Sequence, residues 1–339
     1  MRSVLLAFSG GIDSCTAAKK LQSEGYEVVA LTLDMTGDEA LLKKAVDSAE
    51  RLGVKHIAHN VQQQFKSKII DYFANSYMRG STPAPCTVCN PAIKWYFLLE
   101  QADMMGIDYI ATGHYFNIEQ EGDLYYVATA DDVAKDQSYY LWGLPQRVLS
   151  RAITPMGHLI KEQIKADFVD KRESMGLCFL GGESYREFMI KHYPASVCRG
   201  DIVTKDGRKV GNHDGVAFYT IGQKRGLDVE CSGVVVVDID ARANYLIVSD
   251  NSDLYKSTLK VCDCNVVSEE ELLSSDDIRV VVRGIGRNPQ GFARKIEPAD
   301  DGYIVYLDDA AWAPAVGQPI VFYRGRRVLG GGFLRGSSR

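Results

Sequence analysis

The sequence predicts an α/β chain: a parallel-sheet domain at the front, then a small α+β or β middle domain and a C-terminal β-barrel. Three observations predict it. The first half alternates short β-rich runs with longer helical ones. A Gly-Gly turn, Ser9-Gly10-Gly11-Ile12-Asp13-Ser14, joins the first β-run to the first helical one. Beyond about Tyr193 the pattern changes to short alternating runs broken by Gly, Asp and Asn.

Taken in order, residues 3–8, 26–34, 54–59 and 108–112 are expected as strands, and 14–24, 38–52, 62–78 and 91–105 as helices. Parallel strands linked by helices are buried on both faces, and ligands sit beyond their C-terminal ends. Both the 9–14 loop and Gly113-His114-Tyr115 fall there. In the second half, residues 215–220, 233–238, 245–249, 258–267, 279–284, 291–296, 302–307 and 319–323 are expected as strands, with the polar stretch 250–256 separating a middle module from a terminal barrel. The expected domains are therefore 1–193, 194–256 and 257–339.

At 339 residues the chain is too long for one typical domain. The first apolar run, Val4 to Phe8, is too short for a signal-peptide core, and no other stretch approaches a membrane span. A soluble cytoplasmic protein with no membrane partner is expected. Its eight cysteines are then reduced thiols that serve as core residues, metal ligands or nucleophiles. A net charge of −5 excludes indiscriminate nucleic-acid binding. Local charge differs: Arg279, Arg283, Arg287, Arg294 and Lys295 occur without an acid among them, and Arg324, Arg326, Arg327, Arg335 and Arg339 crowd the C-terminus. Charge alone leaves open whether these form a solvated face or an RNA-binding one.

Two adjacent glycines let consecutive N–H groups converge, and the helix opened by Asp13 and Ser14 adds its positive end, so residues 9–14 form an anion nest suited to phosphate. No Lys follows the glycines, which excludes the Walker A loop. The run Thr82-Pro83-Ala84-Pro85-Cys86-Thr87-Val88-Cys89-Asn90 is a proline-stiffened loop with two cysteines, followed by the helix expected from Pro91. A thiol at a helix N-terminus is readily ionised, which makes Cys89 a nucleophile candidate. C-x-x-C is also half of a zinc site, but no second such pair exists, only Cys262-x-Cys264. Cys178, in Met175-Gly176-Leu177-Cys178-Phe179-Leu180-Gly181-Gly182, read by itself is a core thiol between Leu and Phe.

Seven segments then occur in one order: Ser-Gly-Gly-Ile-Asp-Ser, the Pro-rich cysteine loop, Ala111-Thr112-Gly113-His114-Tyr115, Lys135-Asp136-Gln137-Ser138-Tyr139-Tyr140-Leu141, Ser174-x-Gly176-x-Cys178-Phe179, Tyr219-Thr220-Ile221-Gly222-Gln223-Lys224-Arg225-Gly226-Leu227 and Leu329-Gly330-Gly331-Gly332. The first resembles the pyrophosphatase-type loop (PP-loop) of adenine nucleotide alpha hydrolase-like ATPases. The whole set resembles the tRNA-specific 2-thiouridylases over almost the entire chain. In that family ATP adenylates O2 of the wobble uridine (U34), AMP and pyrophosphate are released, and a protein persulfide delivers sulfur to C2. The resemblance makes Cys89 the nucleophile and Cys178 the persulfide carrier, with a Cys89–Cys178 disulfide during turnover. It places ATP, with Mg²⁺, on Ala7, Phe8, Ser9, Gly10, Gly11, Ile12, Asp13, Ser14, Leu33 and Gly113. It turns Ala84, Pro85, Cys86, His114, Lys135, Asp136, Gln137, Arg283, Gly284 and Gln318 toward tRNA, with Tyr115, Tyr139 and Tyr140 available for base stacking. A persulfide donor protein, such as a cysteine desulfurase or sulfur relay protein, is implied as partner.

Four departures stand out. Cys86 occupies a position, three before the nucleophile, where some members have an acid. Leu33 replaces a common Met, the region after Met35 lacks an acidic insertion, and the helix expected between Lys161 and Ser174 is about two turns short. Cys86, Cys89 and Cys178 also make a three-thiolate set of the kind that holds an iron–sulfur cluster in related tRNA thiolases. Two other classes fit parts of the pattern: a PP-loop ligase or amidotransferase for a small molecule, which needs neither Cys89 nor Cys178, and an RNA-binding paralogue without catalysis.

Overall fold

A computed structural model describes residues 2–165, 176–284 and 286–338. The chain divides into two compact units, Met1–Ile69 with Cys86–Met175 and Arg326–Gly330, and Ile70–Pro85 with Gly176–Gly325 and Gly331–Arg339.

In the first unit the alternating pattern produces strands β1 (Ser3–Ala7), β2 (Glu27–Asp34), β3 (Lys55–Asn60) and β4 (Tyr109–Ala111). An antiparallel hairpin follows, β5 (Asn117–Glu121) and β6 (Leu124–Ala128), and then a short β7 (Ala152–Ile153). The sheet order is β3-β2-β1-β4-β7, parallel throughout. Val4, Leu5 and Leu6 of β1 are fully buried because both sheet faces are covered. Helix α1 (Ile12–Ser23) packs Ala17, Ala18 and Leu21 into that core. Helix α2 (Glu39–Arg51) is started by Asp38, whose carboxylate accepts from the N–H groups of Ala40 (2.9 Å) and Leu41 (3.1 Å). Arg327 and Val328 pair with Ala128 and Val127 of the hairpin.

The second unit holds β8 (Gly200–Thr204), β9 (Lys209–His213), β10 (Asp228–Val229), β11 (Val235–Asp240) and β12 (Tyr245–Ser249), in the order β10-β9-β8-β12-β11. It continues with β13 (Tyr255–Val266), β14 (Ile278–Val281), β15 (Ala293–Ala299), β16 (Gly302–Trp312), β17 (Pro319–Arg324) and β18 (Arg327–Ser338), whose residues up to Gly330 belong to the first unit, in the order β14-β17-β18-β13-β16-β15. Its core includes Phe73, Phe188, Ile202, Phe218, Val236 and Leu246. The polar stretch expected as a boundary contains one 3₁₀ turn, Asn251–Leu254.

Three expected elements differ. Residues 215–220 carry a buried 3₁₀ turn, Val216–Phe218, instead of a strand. The helix expected over 62–78 is interrupted by a wide π turn at Lys66–Ile70. The helix expected from Pro91 starts earlier, at Pro85: Pro85–Cys89 runs into a π turn, Asn90–Lys94, and then into Trp95–Met105. Pro85 is pre-set for a first helical turn, and the wide turn accommodates Pro91, which has no N–H to give. The shortened helix expected between Lys161 and Ser174 lies largely outside the described residues; Lys161–Lys165 is its described part.

Candidate active site

The Gly-Gly loop leaves the C-terminal end of β1 and becomes α1 within a few residues. Gly10 has φ +65°, and a Cβ there would lie 2.7 Å from the Lys44 carbonyl oxygen and 2.9 Å from the Ala45 Cα, so both conformation and space demand glycine. The Ser14 hydroxyl donates to the Gly11 carbonyl (3.1 Å) and accepts from the Ser9 N–H (3.3 Å), while Gly11 N–H points to the Ser9 hydroxyl (3.4 Å). Helix α1 begins at Gly11 with no side-chain cap. Its leading N–H groups are therefore presented to an anion in place of a side chain.

Gly113 closes the nest from β4. A Cβ at Gly113 would lie 3.0 Å from the Ser14 nitrogen and 3.2 Å from the Asp13 carbonyl carbon, so any larger residue would push on the first turn of α1. The structure thus brings 9–14 and 113 together, as the strand pattern predicted. Phe8 is buried, its N–H donating to the Leu31 carbonyl (2.8 Å), and its own carbonyl accepts from the Thr32 hydroxyl (2.6 Å). This ties Ala7 and Phe8 to the end of β2, where Leu33 lies half-buried. The Asp13 carboxylate accepts from the Tyr115 hydroxyl (2.9 Å) and forms an ion pair with the buried Lys161.

Tyr115, 3 % exposed, and Tyr139, 7 % exposed, are buried, so neither offers the stacking face expected of it. Tyr115 instead links the loop to the Lys135-Asp136-Gln137 segment: its N–H donates to the Gln137 side chain (2.9 Å) and its carbonyl accepts the Gln137 N–H (2.8 Å). The Asp136 carboxylate accepts from Ala130 N–H (2.8 Å) and the Ser138 hydroxyl (2.6 Å), and Lys135 N–H donates to the Asp132 carbonyl (3.0 Å). These bonds hold the segment in one shape. His114 is half-buried, bonds Thr112 through Nδ1 (2.8 Å) and stacks on Trp95 at 6.4 Å. Burial, and then the nearby Lys94 charge, push its pKa down to about 3, so the ring is neutral at physiological pH.

Cys89 is buried one turn inside the helical stretch, not at its N-terminus; the exposed Cys86 holds the first turn instead. The dipole argument made for Cys89 therefore does not apply to it. Asn90, directly after Cys89, is locked by its side-chain amide to the Tyr140 carbonyl (2.9 Å). In the second unit Cys178 is exposed while its neighbours Leu177 and Phe179 pack inward, Phe179 lying 5.2 Å from Phe73 and 5.5 Å from Phe188. A core-thiol reading of Cys178 is thereby excluded. Both cysteines are thiols here, so the disulfide expected during turnover is not the form described. Pro85 is buried and Ala84 half-buried. In the terminal barrel Arg283 donates to the Ala313 carbonyl (2.6 Å) and lies 5.2 Å from the Trp312 ring, Gly284 follows it, and the Gln318 side chain accepts from Ala315 N–H (3.3 Å). Among the described residues no three His, Cys, Asp or Glu side chains are gathered to hold a metal ion, and no helix is long and apolar enough to cross a membrane.

Residues 2–182 match the tRNA methyl transferase HUP domain, 186–250 the tRNA methyl transferase PRC-barrel domain, and 256–334 the aminomethyltransferase beta-barrel domain. A tRNA-specific 2-thiouridylase (MnmA 3) of Bacteroides fragilis is 37% identical, over 98% of this chain and 94% of that protein. The tRNA-specific 2-thiouridylases of Cytophaga hutchinsonii, 37% identical over 98% of this chain and 97% of that one, and of Clostridium acetobutylicum, 32% identical over 98% and 99%, agree. With a PP-loop closed by Gly113, a buried thiol beside Asn90 and likeness along its whole length, the chain belongs to the MnmA-type tRNA-specific 2-thiouridylase family.

Proposed function

We propose that this chain is an ATP-dependent tRNA-uridine 2-sulfurtransferase that converts U34 of tRNA to 2-thiouridine, and that the residues above divide the work as follows. The carrying observation is the anion nest formed by residues 9–14 and closed by Gly113. ATP lies with its phosphates on that nest and its adenosine toward Ala7, Phe8 and Leu33. Uridine O2 attacks the α-phosphorus, and the electron pair of the α–β bond leaves with pyrophosphate. C2 is now an electrophile with AMP as leaving group.

The terminal sulfur of a Cys178 persulfide attacks C2 and expels AMP. Cys89 thiolate then attacks the Cys178 sulfur, so a Cys89–Cys178 disulfide forms and the new sulfur stays on C2. A thiol reductant resets the pair. An exposed Cys178 suits loading by a persulfide donor protein of the cysteine desulfurase or relay type. His114, Lys135, Asp136 and Gln137, with Ala84, Pro85 and Cys86, face the target base; Arg283, Gly284 and Gln318 contact the tRNA from the barrel. Asp13 is an oxygen donor suited to Mg²⁺, which supplies charge neutralisation at the phosphates. Cys86 and Cys89 sit one helical turn apart; among the described residues no third ligand is gathered with them, and no step is assigned to an iron–sulfur cluster. The chemistry is placed in the cytoplasm, where ATP, tRNA and reducing thiols meet.

The test is mass spectrometry of tRNA nucleosides after incubation with ATP, Mg²⁺ and a persulfide source. The expected product is 2-thiouridine with one AMP per sulfur. Unchanged uridine together with AMP release that depends on a small-molecule substrate would instead favour the ligase class.

A further inference from the structure

The sequence shows no lysine in the phosphate loop, yet the fold supplies one from 148 positions away. Lys161 is 3 % exposed, and its ammonium is in an ion pair with Asp13. It lies 5.6 Å from the centroid of the Tyr115 ring, and the Tyr115 hydroxyl donates to the same Asp13 oxygen (2.9 Å). Its backbone N–H donates to the Asp132 carboxylate (2.9 Å), which fixes where the side chain starts. A buried ammonium is tolerated only when opposed by negative charge. Asp13 supplies that charge, but Asp13 is also the carboxylate of a loop built to receive phosphate, where an unopposed carboxylate would repel the ligand.

We propose that Lys161 binds the pyrophosphate portion of ATP. In the nucleotide-free protein it neutralises Asp13. With ATP bound, the ammonium donates to a phosphate oxygen and opposes the charge that builds on pyrophosphate as the α–β bond breaks and its electron pair leaves with the β-phosphate. Lys161 thus takes the part that a loop lysine plays in Walker-type sites. The proposal rests on residues 9–14 being the ATP site.

The experiment is calorimetric titration of the full-length chain with ATP, AMP and inorganic pyrophosphate. Lys161→Met should weaken ATP and pyrophosphate about ten- to hundredfold, the range of one lost charge-assisted hydrogen bond, and leave AMP within about twofold. Equal weakening of all three ligands, or of none, overturns the assignment. If Lys161→Met fails to fold, Asp13→Asn titrated with pyrophosphate in EDTA decides. That variant removes the repelling carboxylate and leaves the ammonium, so pyrophosphate should bind at least as tightly as to the parent; weaker binding overturns the proposal. A parent protein that binds none of the three would instead remove the ATP site itself.

Discussion

Gly113→Ala tests the nest more sharply than a change in the loop itself, because Gly113 needs no left-handed backbone and only the close approach is perturbed. The added methyl would meet the Ser14 nitrogen at 3.0 Å, the Asp13 carbonyl carbon at 3.2 Å and the Asp13 Cβ at 3.3 Å. Carbon contacts settle at about 3.5–4.0 Å, so a few tenths of an ångström must be found, and the atoms that must move are the backbone of the first turn of α1. Overpacking of this kind costs about 1–3 kcal/mol. Since the displaced N–H groups are the ones offered to phosphate, the cost should be felt in nucleotide affinity as well as stability. If it fell wholly on binding, ATP would weaken by roughly five- to 150-fold. The assay pairs thermal unfolding with ATP titration, and Gly25→Ala is the control: Gly25 has φ +84° but nothing within 4 Å of an added Cβ, so it carries backbone strain without touching the nest. Gly25→Ala should lose about 1 kcal/mol of stability and keep its ATP affinity. A Gly113→Ala protein with parental stability and ATP affinity would refute the close approach on which the site is built.

Cys178→Ala should abolish 2-thiouridine while AMP and pyrophosphate release persist, because activation needs only the phosphate loop; parallel radiometric and nucleoside assays read the two steps. His114, with its pKa lowered from 6.5 to about 3, favours the neutral ring in the fold, so the unfolded chain binds the extra proton between those values. Its contribution to stability is complete above about pH 6.5 and is lost as pH falls toward 3; urea unfolding should show a shallower loss between pH 6.5 and 4 in His114→Phe than in the parent. Arg279→Ala combined with Arg287→Ala should weaken tRNA binding and lower its salt slope by about two, whereas Arg324→Ala should leave the slope unchanged, as read by filter binding over a salt series.

What could be read from the sequence was whatever is encoded within a few neighbouring residues. The alternation of buried strands and helices, the Gly10-Gly11 turn and the position of Gly113 at a strand end all follow from local pattern, and all are found. What could not be read depends on partners far along the chain. Lys161 opens the helical stretch described over Lys161–Lys165 with no local signal, and only the folded sheet brings it to Asp13. The hairpin Asn117–Glu121 with Leu124–Ala128 has no clear strand signal because Glu119 and Glu121 break its apolar pattern; both pair with Arg327, some 200 positions later. The sequence points to a helix start at Cys89 because Pro91 and Pro85 give the same local signal for a first turn, and nothing nearby decides between them. The sequence leaves Tyr115 available as a stacking ring, since the partners that hold it inside, Asp13 and Gln137, are distant in the chain.

The two arginine-rich stretches, indistinguishable by charge, separate once their partners are known. Near the C-terminus Arg324 pairs with Asp277 (2.9 Å) and Glu271 (3.2 Å), Arg326 with Asp131 (2.5 Å), Arg327 with Glu119 and Glu121, and Arg335 with Asp301. These arginines face acids of the chain itself, so little of their charge is left for phosphate. The earlier stretch behaves differently. Arg279 lies over the Tyr323 ring at 4.9 Å, Arg287 over Tyr255 at 5.4 Å with a bond to its hydroxyl (3.1 Å), and Arg294 over Tyr306 at 5.9 Å. Stacking on a ring holds a guanidinium in place without cancelling its charge. Arg294 is the intermediate case, with Asp308 at 3.9 Å. The net charge of −5 is thus spread unevenly: the arginines near the C-terminus face acids, and in the earlier stretch Lys295 pairs with Glu297, whereas Arg279 and Arg287 are held on aromatic rings, which is why the lowered salt slope is expected of those two.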